Sequence, residues 1–219
     1  AGDLPLIATP VELYLTHVVL GVHDVPVKGG AFLVYRGTLA DLTYGLDLAE
    51  LGVTSVVSIS VVDSTGMPRS DWTVQVLYGN IVAAEGKGSV NVVMPRTDVL
   101  DRPYMVRVIT SAFTPEGKAL VREQSLEVRQ KALAVQIPIP TVHVVALVVD
   151  GFGNVRRDWP IVIENVAAGM GHIEAEIVEG QKYRARATGL DFTNITEFEA
   201  RSPHMTVTVK IPTAKLSVR

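Results

Sequence analysis

The chain contains 0 Cys, which removes disulfides, thiolate nucleophiles and cysteine-ligated zinc or iron–sulfur sites from its chemistry. Small secreted domains often depend on disulfides, so cohesion here must come from apolar cores large enough to replace them. No uninterrupted apolar run approaches the roughly 20 residues that a membrane-spanning helix needs. Neither sign of charge dominates: 20 Lys+Arg stand against 23 Asp+Glu, for a net charge of −3 and a pI of about 6.0. Nucleic acid is therefore excluded as a partner, because a phosphate backbone requires a concentrated basic surface.

Hydrophobic residues make up 47% of the chain, and they fall in short blocks rich in Val, Ile and Leu. That pattern favours strands over helices. The 18 Gly and 12 Pro gather at block ends and read as turns.

An internal repeat organises the chain. Residues 54–72 read TSVVSISVVDSTGMPRSDW and residues 141–159 read TVHVVALVVDGFGNVRRDW. Thr54, Val61, Val62, Asp63, Gly66, Arg69, Asp71 and Trp72 recur as Thr141, Val148, Val149, Asp150, Gly153, Arg156, Asp158 and Trp159, always at an offset of 87. In each copy the Val-rich run is expected to be a strand. Asp63 and Asp150 then cap a turn through backbone N–H groups, and Gly66 and Gly153 supply its positive φ. Trp72 and Trp159 open the next strand.

Farther on, SVNVVM (89–94) corresponds to HIEAEIV (172–178), and Tyr104 to Tyr183. SLEVR (125–129) and MTVTVKI (205–211) are expected to be the last strands of the two copies. Ile139-Pro140-Thr141 recurs as Ile211-Pro212-Thr213, which marks unit junctions. The reading is all-β: tandem immunoglobulin-like antiparallel β-sandwich domains. Residues 1–53 form a partial or divergent unit, 54–133 one sandwich, and 134–219 a second that ends in the first strand of another. A start at Ala1-Gly2-Asp3 without Met fits a processed chain or a fragment cut from a longer array.

The strand–Asp-x-x-Gly–strand pattern resembles the carboxypeptidase-regulatory-like and Cna-B-like group of immunoglobulin-like folds. The Val-rich runs, the VVDGFGN turn (148–154) and the Ile-Pro-Thr junctions resemble repeats of thermophilic archaeal cell-surface or S-layer-type proteins. The resemblance implies an extracellular, cell-envelope location and a role in stalks, adhesins or surface lattices. Some members of the group carry an internal Lys–Asn or Lys–Asp bond activated by a buried acid. Lys131 and Asn165 are the residue types for it, but the sequence places no such trio.

Little else points to chemistry. The 5 His are scattered, without the spacing of a zinc site, and no G-x-S-x-G elbow accompanies the serines. Asp63, Asp71, Asp150 and Asp158 offer oxygens that calcium could use. Arg69 and Arg156 lie between them as charge partners, so turn capping with a surface ion pair is the simpler account. Trp72 and Trp159 read as packing residues rather than a sugar platform. Asn194-Ile195-Thr196 is a glycosylation acceptor triplet in an expected loop. These residues predict a non-catalytic, cofactor-free structural protein that self-associates in a lattice or filament, with envelope proteins or glycan as further partners. The alternatives are a filament subunit that exchanges strands, donating 11–20 or 212–218, and an adhesin module.

Overall fold

The structure, a computed structural model, describes residues 10–38, 46–189 and 192–212. Its described residues divide into two compact units. The first takes residues 10–38, 46–61, 70–108 and 122–137; the second takes 62–69, 109–121, 138–189 and 192–212. Strands account for nearly all the regular structure, and no helix among the described residues is long and apolar enough to cross a membrane.

The first unit opens with two hairpins. β1 (Pro10–Leu15) pairs antiparallel with β4 (Phe32–Thr38), and β2 (His17–Leu20) with β3 (His23–Pro26). Residues 11–20, a candidate donor strand by sequence, are thus paired inside the chain.

Seven further strands follow: β5 (Thr54–Val62), β6 (Thr73–Tyr78), β7 (Ile81–Lys87), β8 (Ser89–Pro95), β9 (Tyr104–Phe113), β10 (Ala119–Leu126) and β11 (Ala132–Pro138). They form one sheet in the order β11-β5-β8 and a second in which β7-β6-β9 run side by side with β10 next to β9. Period-two alternation explains the layering. Along β5, Val57, Ile59 and Val61 are buried while Val56 faces outward. Trp72, Val74, Val76, Val90, Met94, Tyr104, Val106 and Val108 complete the core. Each such Val or Ile contributes about 1.5–3 kcal/mol when fully buried.

The second unit repeats that order. Its strands are β12 (Thr141–Val149), β13 (Pro160–Ile163), β14 (Ala167–Met170), β15 (His172–Val178), β16 (Lys182–Thr188), β17 (Thr193–Glu199) and β18 (His204–Lys210). One sheet contains β18-β12-β15, with Ile177 of β15 pairing in turn with Phe113 at the end of β9, and the other reads β14-β13-β16-β17. Adding seven to each label of the first unit's sheets gives these two. Val142, Val144, Ala146 and Val148 of β12 interdigitate with Ile161, Ile163, Ile173, Ile177, Tyr183, Val207 and Val209. The result is a sandwich of two packed sheets.

Two expectations need correction. The sandwiches are not wholly antiparallel: β12 and β18 run parallel in register from His143↔His204 to Val149↔Lys210. Parallel neighbours require a long crossover, and the five strands between them provide it. Residues 125–129 are not the last strand of the first copy either. β10 ends at Leu126, and the closing strand is β11, from Ala132 to Pro138. The Ile-Pro junctions occupy matching places: Ile139 N–H bonds to the carbonyl of Val62 at 2.9 Å, and Ile211 N–H to that of Val149 at 2.8 Å.

Candidate functional site

The repeated Asp residues build two closely similar turns. Asp63 Oδ1 accepts the N–H groups of Thr65 at 2.9 Å and Met67 at 3.1 Å, and the Thr65 hydroxyl at 2.5 Å. Asp150 Oδ1 accepts those of Phe152 and Asn154, both at 2.9 Å, while Asn154 Nδ2 reaches its other oxygen at 3.2 Å. Gly66 donates to the Asp63 carbonyl and Gly153 to that of Asp150, both at 3.0 Å. Their φ angles are 83° and 88°, left-handed values that a side chain opposes. Burial alone would raise the Asp63 carboxyl, and this is the largest single effect on it. The Thr65 hydroxyl, the N–H groups of Thr65 and Met67, and Arg69 together outweigh it and hold the carboxyl below the usual range. Asp150 is lowered against the same opposing effect of burial by Asn154, Phe152 and Arg156.

The two tryptophans share backbone partners and differ in burial. The Trp72 carbonyl accepts Gly88 N–H at 2.8 Å and the Trp159 carbonyl accepts Gly171 N–H at 2.7 Å. Trp72 is 0% exposed. Trp159 is half-buried against the second core, and its ring lies so close to Gly189 that a Cβ there would stand 2.5 Å from two ring carbons.

The tyrosines show how one backbone atom changes a bond. Tyr104 hydroxyl donates to the Pro95 carbonyl at 2.9 Å. Tyr183 hydroxyl accepts the N–H of Val178 at 2.9 Å and donates to the Phe113 carbonyl at 2.8 Å. Pro95 and Val178 hold the same ladder position, opposite Thr54 and Thr141, and proline has no N–H to give. Burial, with Tyr78 adding to it, pushes the Tyr104 phenol well above its ordinary value.

Beside the first Asp turn, within the second unit, lies a cavity of about 260 Å³ bordered by Asp63, Arg69, Glu176, His143 and His204. Arg69 meets Glu176 with both prongs, Nη1 on Oε1 and Nη2 on Oε2, the latter at 2.9 Å. Ser111 hydroxyl donates to Glu176 Oε2 at 2.6 Å, and Asp63 Oδ2 stands 4.0 Å from Arg69. The rings of His143 and His204 meet edge to face, with centroids 6.0 Å apart. Ser64 hydroxyl bonds to the Thr141 carbonyl rather than to an imidazole. The polar groups thus hold backbone and one another.

Each arginine meets an acid of its own turn: Arg156 grips Asp158 at 3.0 and 2.7 Å, and Arg69 stands 4.0 Å from Asp63. Arg69 in addition binds Glu176, which the sequence reading did not single out. The repeat carries a signal for it: Glu176 opposite His143 occupies the position of Val93 opposite Val56. Among the described residues no group of three His, Asp or Glu is placed to hold a metal ion.

Lys131 bonds to Glu50 at the surface. Asn165, at φ 62°, donates to the Pro115 carbonyl at 2.9 Å. Asn194 lies in β17 rather than in a loop, paired with Ala187 of β16. Its Nδ2 donates to the Lys210 carbonyl at 2.6 Å, and Thr196 hydroxyl to that of Thr208 at 3.2 Å.

No family model and no curated protein matches the chain. Solved structures give distant similarities. The shaft pilin spaA from Lactobacillus rhamnosus GG is 10% identical at a TM-score of 0.29, over 75% of this chain and 100% of that one. A streptococcal ancillary pilin is 13% identical at a TM-score of 0.27, over 90% of this chain and 74% of that one. The Bacillus anthracis TIE protein is 12% identical at a TM-score of 0.30, over 73% of this chain and only 34% of its own length. The sandwich assignment rests on strand order and core packing, not on these scores.

Proposed function

We propose that this chain is a non-catalytic structural module of an extracellular, cell-surface assembly, built from repeated sandwiches and joined to copies of itself. One observation carries the reading: the strand order β11-β5-β8 corresponds to β18-β12-β15, and the Asp–Gly turn after β5 corresponds to the one after β12. Selection for a repeated scaffold retains core and turn while other surfaces drift. The side chains with chemical capacity support it too, because Asp63, Arg69, Glu176, Asp150 and Tyr183 all serve turns, ion pairs or backbone groups. A layer of the S-layer type and a pilus-like filament are both compatible with such modules.

The test is sedimentation velocity over a concentration series, followed by electron microscopy of the concentrated sample. The expected outcome is concentration-dependent association, seen as sheets or as fibres. A chain that stays at 23.6 kDa up to about 100 µM, a range that covers even weak interfaces, overturns the reading.

A further inference from the structure

The sheet β11-β5-β8 contains no Asp, Glu, Lys, Arg or His. The matching sheet β18-β12-β15 carries His143, His172, Glu174, Glu176, His204 and Lys210. Charges on edge strands normally prevent edge-to-edge pairing. On β15, which also meets β9 at Ile177↔Phe113, the ladder positions of one face hold His172, Glu174 and Glu176; the same positions on β8 hold Ser89, Asn91 and Val93. β8 thus lacks the charges that its counterpart carries.

The backbone of β8 is open on that side. Arg96 N–H bonds to the Val53 carbonyl at 2.8 Å and Val61 N–H to the Gly88 carbonyl at 3.1 Å. Both lie on the register that runs from Thr54↔Pro95 to Ser60↔Ser89 without a shift. Even-numbered residues of β8 therefore bond to β5, and the odd-numbered ones turn their backbone groups away. Among the described residues β8 has no second strand neighbour. Asn91 and Val93 also expose their side chains, Val93 by 64%.

The geometry points to a two-fold dimer in which β8 pairs antiparallel with β8 of a second copy, centred on Val92. This names the partner and surface for the self-association proposed above, and rests on that reading. Val92 is the midpoint of Ser89–Pro95, so the strand lies opposite its own reverse: Asn91 faces the second copy's Val93, and Ser89 its Pro95. Asn91 and Val93 then exchange N–H···O=C bonds both ways. Ser89 N–H reaches the facing Pro95 carbonyl.

Pro95 has no N–H to offer the Ser89 carbonyl opposite, which lies close to Gly86, so this pair contributes one bond where Asn91 and Val93 contribute two. Half-buried Val92 meets its counterpart in a non-hydrogen-bonded pair, where side chains come closest. A two-fold interface sets the same strand on both sides of the axis, so a charge on β8 would stand near a second one of the same sign, and an edge without charge avoids that repulsion.

The experiment uses the whole chain and two variants, with circular dichroism to confirm that each folds. N91E/V93E installs on β8 the acids that β15 carries, and pairing would then set like charges opposite one another. Val92→Cys introduces a cysteine into a chain with 0 Cys, so any disulfide-linked dimer reports contact at that residue. The expected result is a reversible wild-type dimer, at least tenfold weaker association in N91E/V93E, and a disulfide dimer of Val92→Cys under mild oxidation. The exposed Val56→Cys on β5 serves as the negative control. Association unchanged by N91E/V93E, with no Val92→Cys cross-link, overturns the β8 interface and leaves the self-association reading standing. A wild type that never associates overturns both.

Discussion

Arg69 and Glu176, 107 positions apart in the chain, face each other as a two-pronged ion pair with Ser111 bound to the same carboxylate. Both side chains are largely shielded, at 21% and 15% exposure, so the pair holds the Asp63 turn against β15 in a setting where losing one partner strands the other. Arg69→Met and Glu176→Gln are each expected to lower stability by about 2 kcal/mol, below the cost of breaking a fully buried pair. The double variant should lose less than the sum. Urea denaturation of the four proteins measures the coupling, and strictly additive losses would show that the pair contributes nothing jointly.

The turn carboxylates have a separate, local role. Asp63→Ala leaves the N–H groups of Thr65 and Met67 without their acceptor and should cost about 1 kcal/mol, the usual effect of removing a cap. Asp150→Ala is expected to act in the same direction on the second turn. Chemical denaturation followed by circular dichroism reads both.

Acid should act through these same groups. The carboxyls of Asp63 and Asp150 are lowered in the fold despite burial, and that of Asp158 is lowered by its bond to Arg156. A carboxylate lowered on folding stabilises above its unfolded value of about 3.9, and that contribution fades as pH falls through the folded value. Stability should therefore hold from pH 7 to about 5 and decline below about pH 4. Urea midpoints at three pH values test this, and Asp63→Ala should flatten the decline.

Trp159 and Gly189 provide a steric prediction. Gly189→Ala drives a methyl group into the indole, 2.5 Å from two ring carbons, and overpacking of this kind costs about 1–3 kcal/mol. A shift in tryptophan emission should accompany the loss. Unchanged emission and stability would mean that the ring yields without cost.

Trp72 and Trp159 are equivalent by position and not by consequence. Trp72→Ala removes a ring that is 0% exposed and should cost about 3–5 kcal/mol. Trp159→Ala should cost less, because part of that ring already meets solvent. Thermal melts of the two variants rank them, and an equal loss would show that burial does not set the difference.

Much of this protein was legible in its residues. Asp63 bonds within four residues and Gly66 sets its own φ, so both turns follow from local chemistry. Alternation along β5 and β12 marks their faces for the same reason: a strand's neighbours in sequence decide which side each residue takes. The 87-residue offset then announces that one architecture is used twice.

Other features depend on residues far apart in the chain. Nothing local to Arg69 adds the distant Glu176 to the nearby Asp63 as its partner, and nothing in MTVTVKI sets it parallel to β12. Asn194 stands in a strand because β16 and β17 pair through Ala187↔Asn194. Strand edges are likewise a tertiary matter: SVNVVMP and HIEAEIV both read as strands, but only the sheet order shows which backbone groups lie open. Period, turn and repeat come from short-range sterics and hydrogen bonds that the sequence carries in full. Ion-pair choice, strand direction, depth of burial and exposed edges come from packing between distant segments, and only the folded chain decides them.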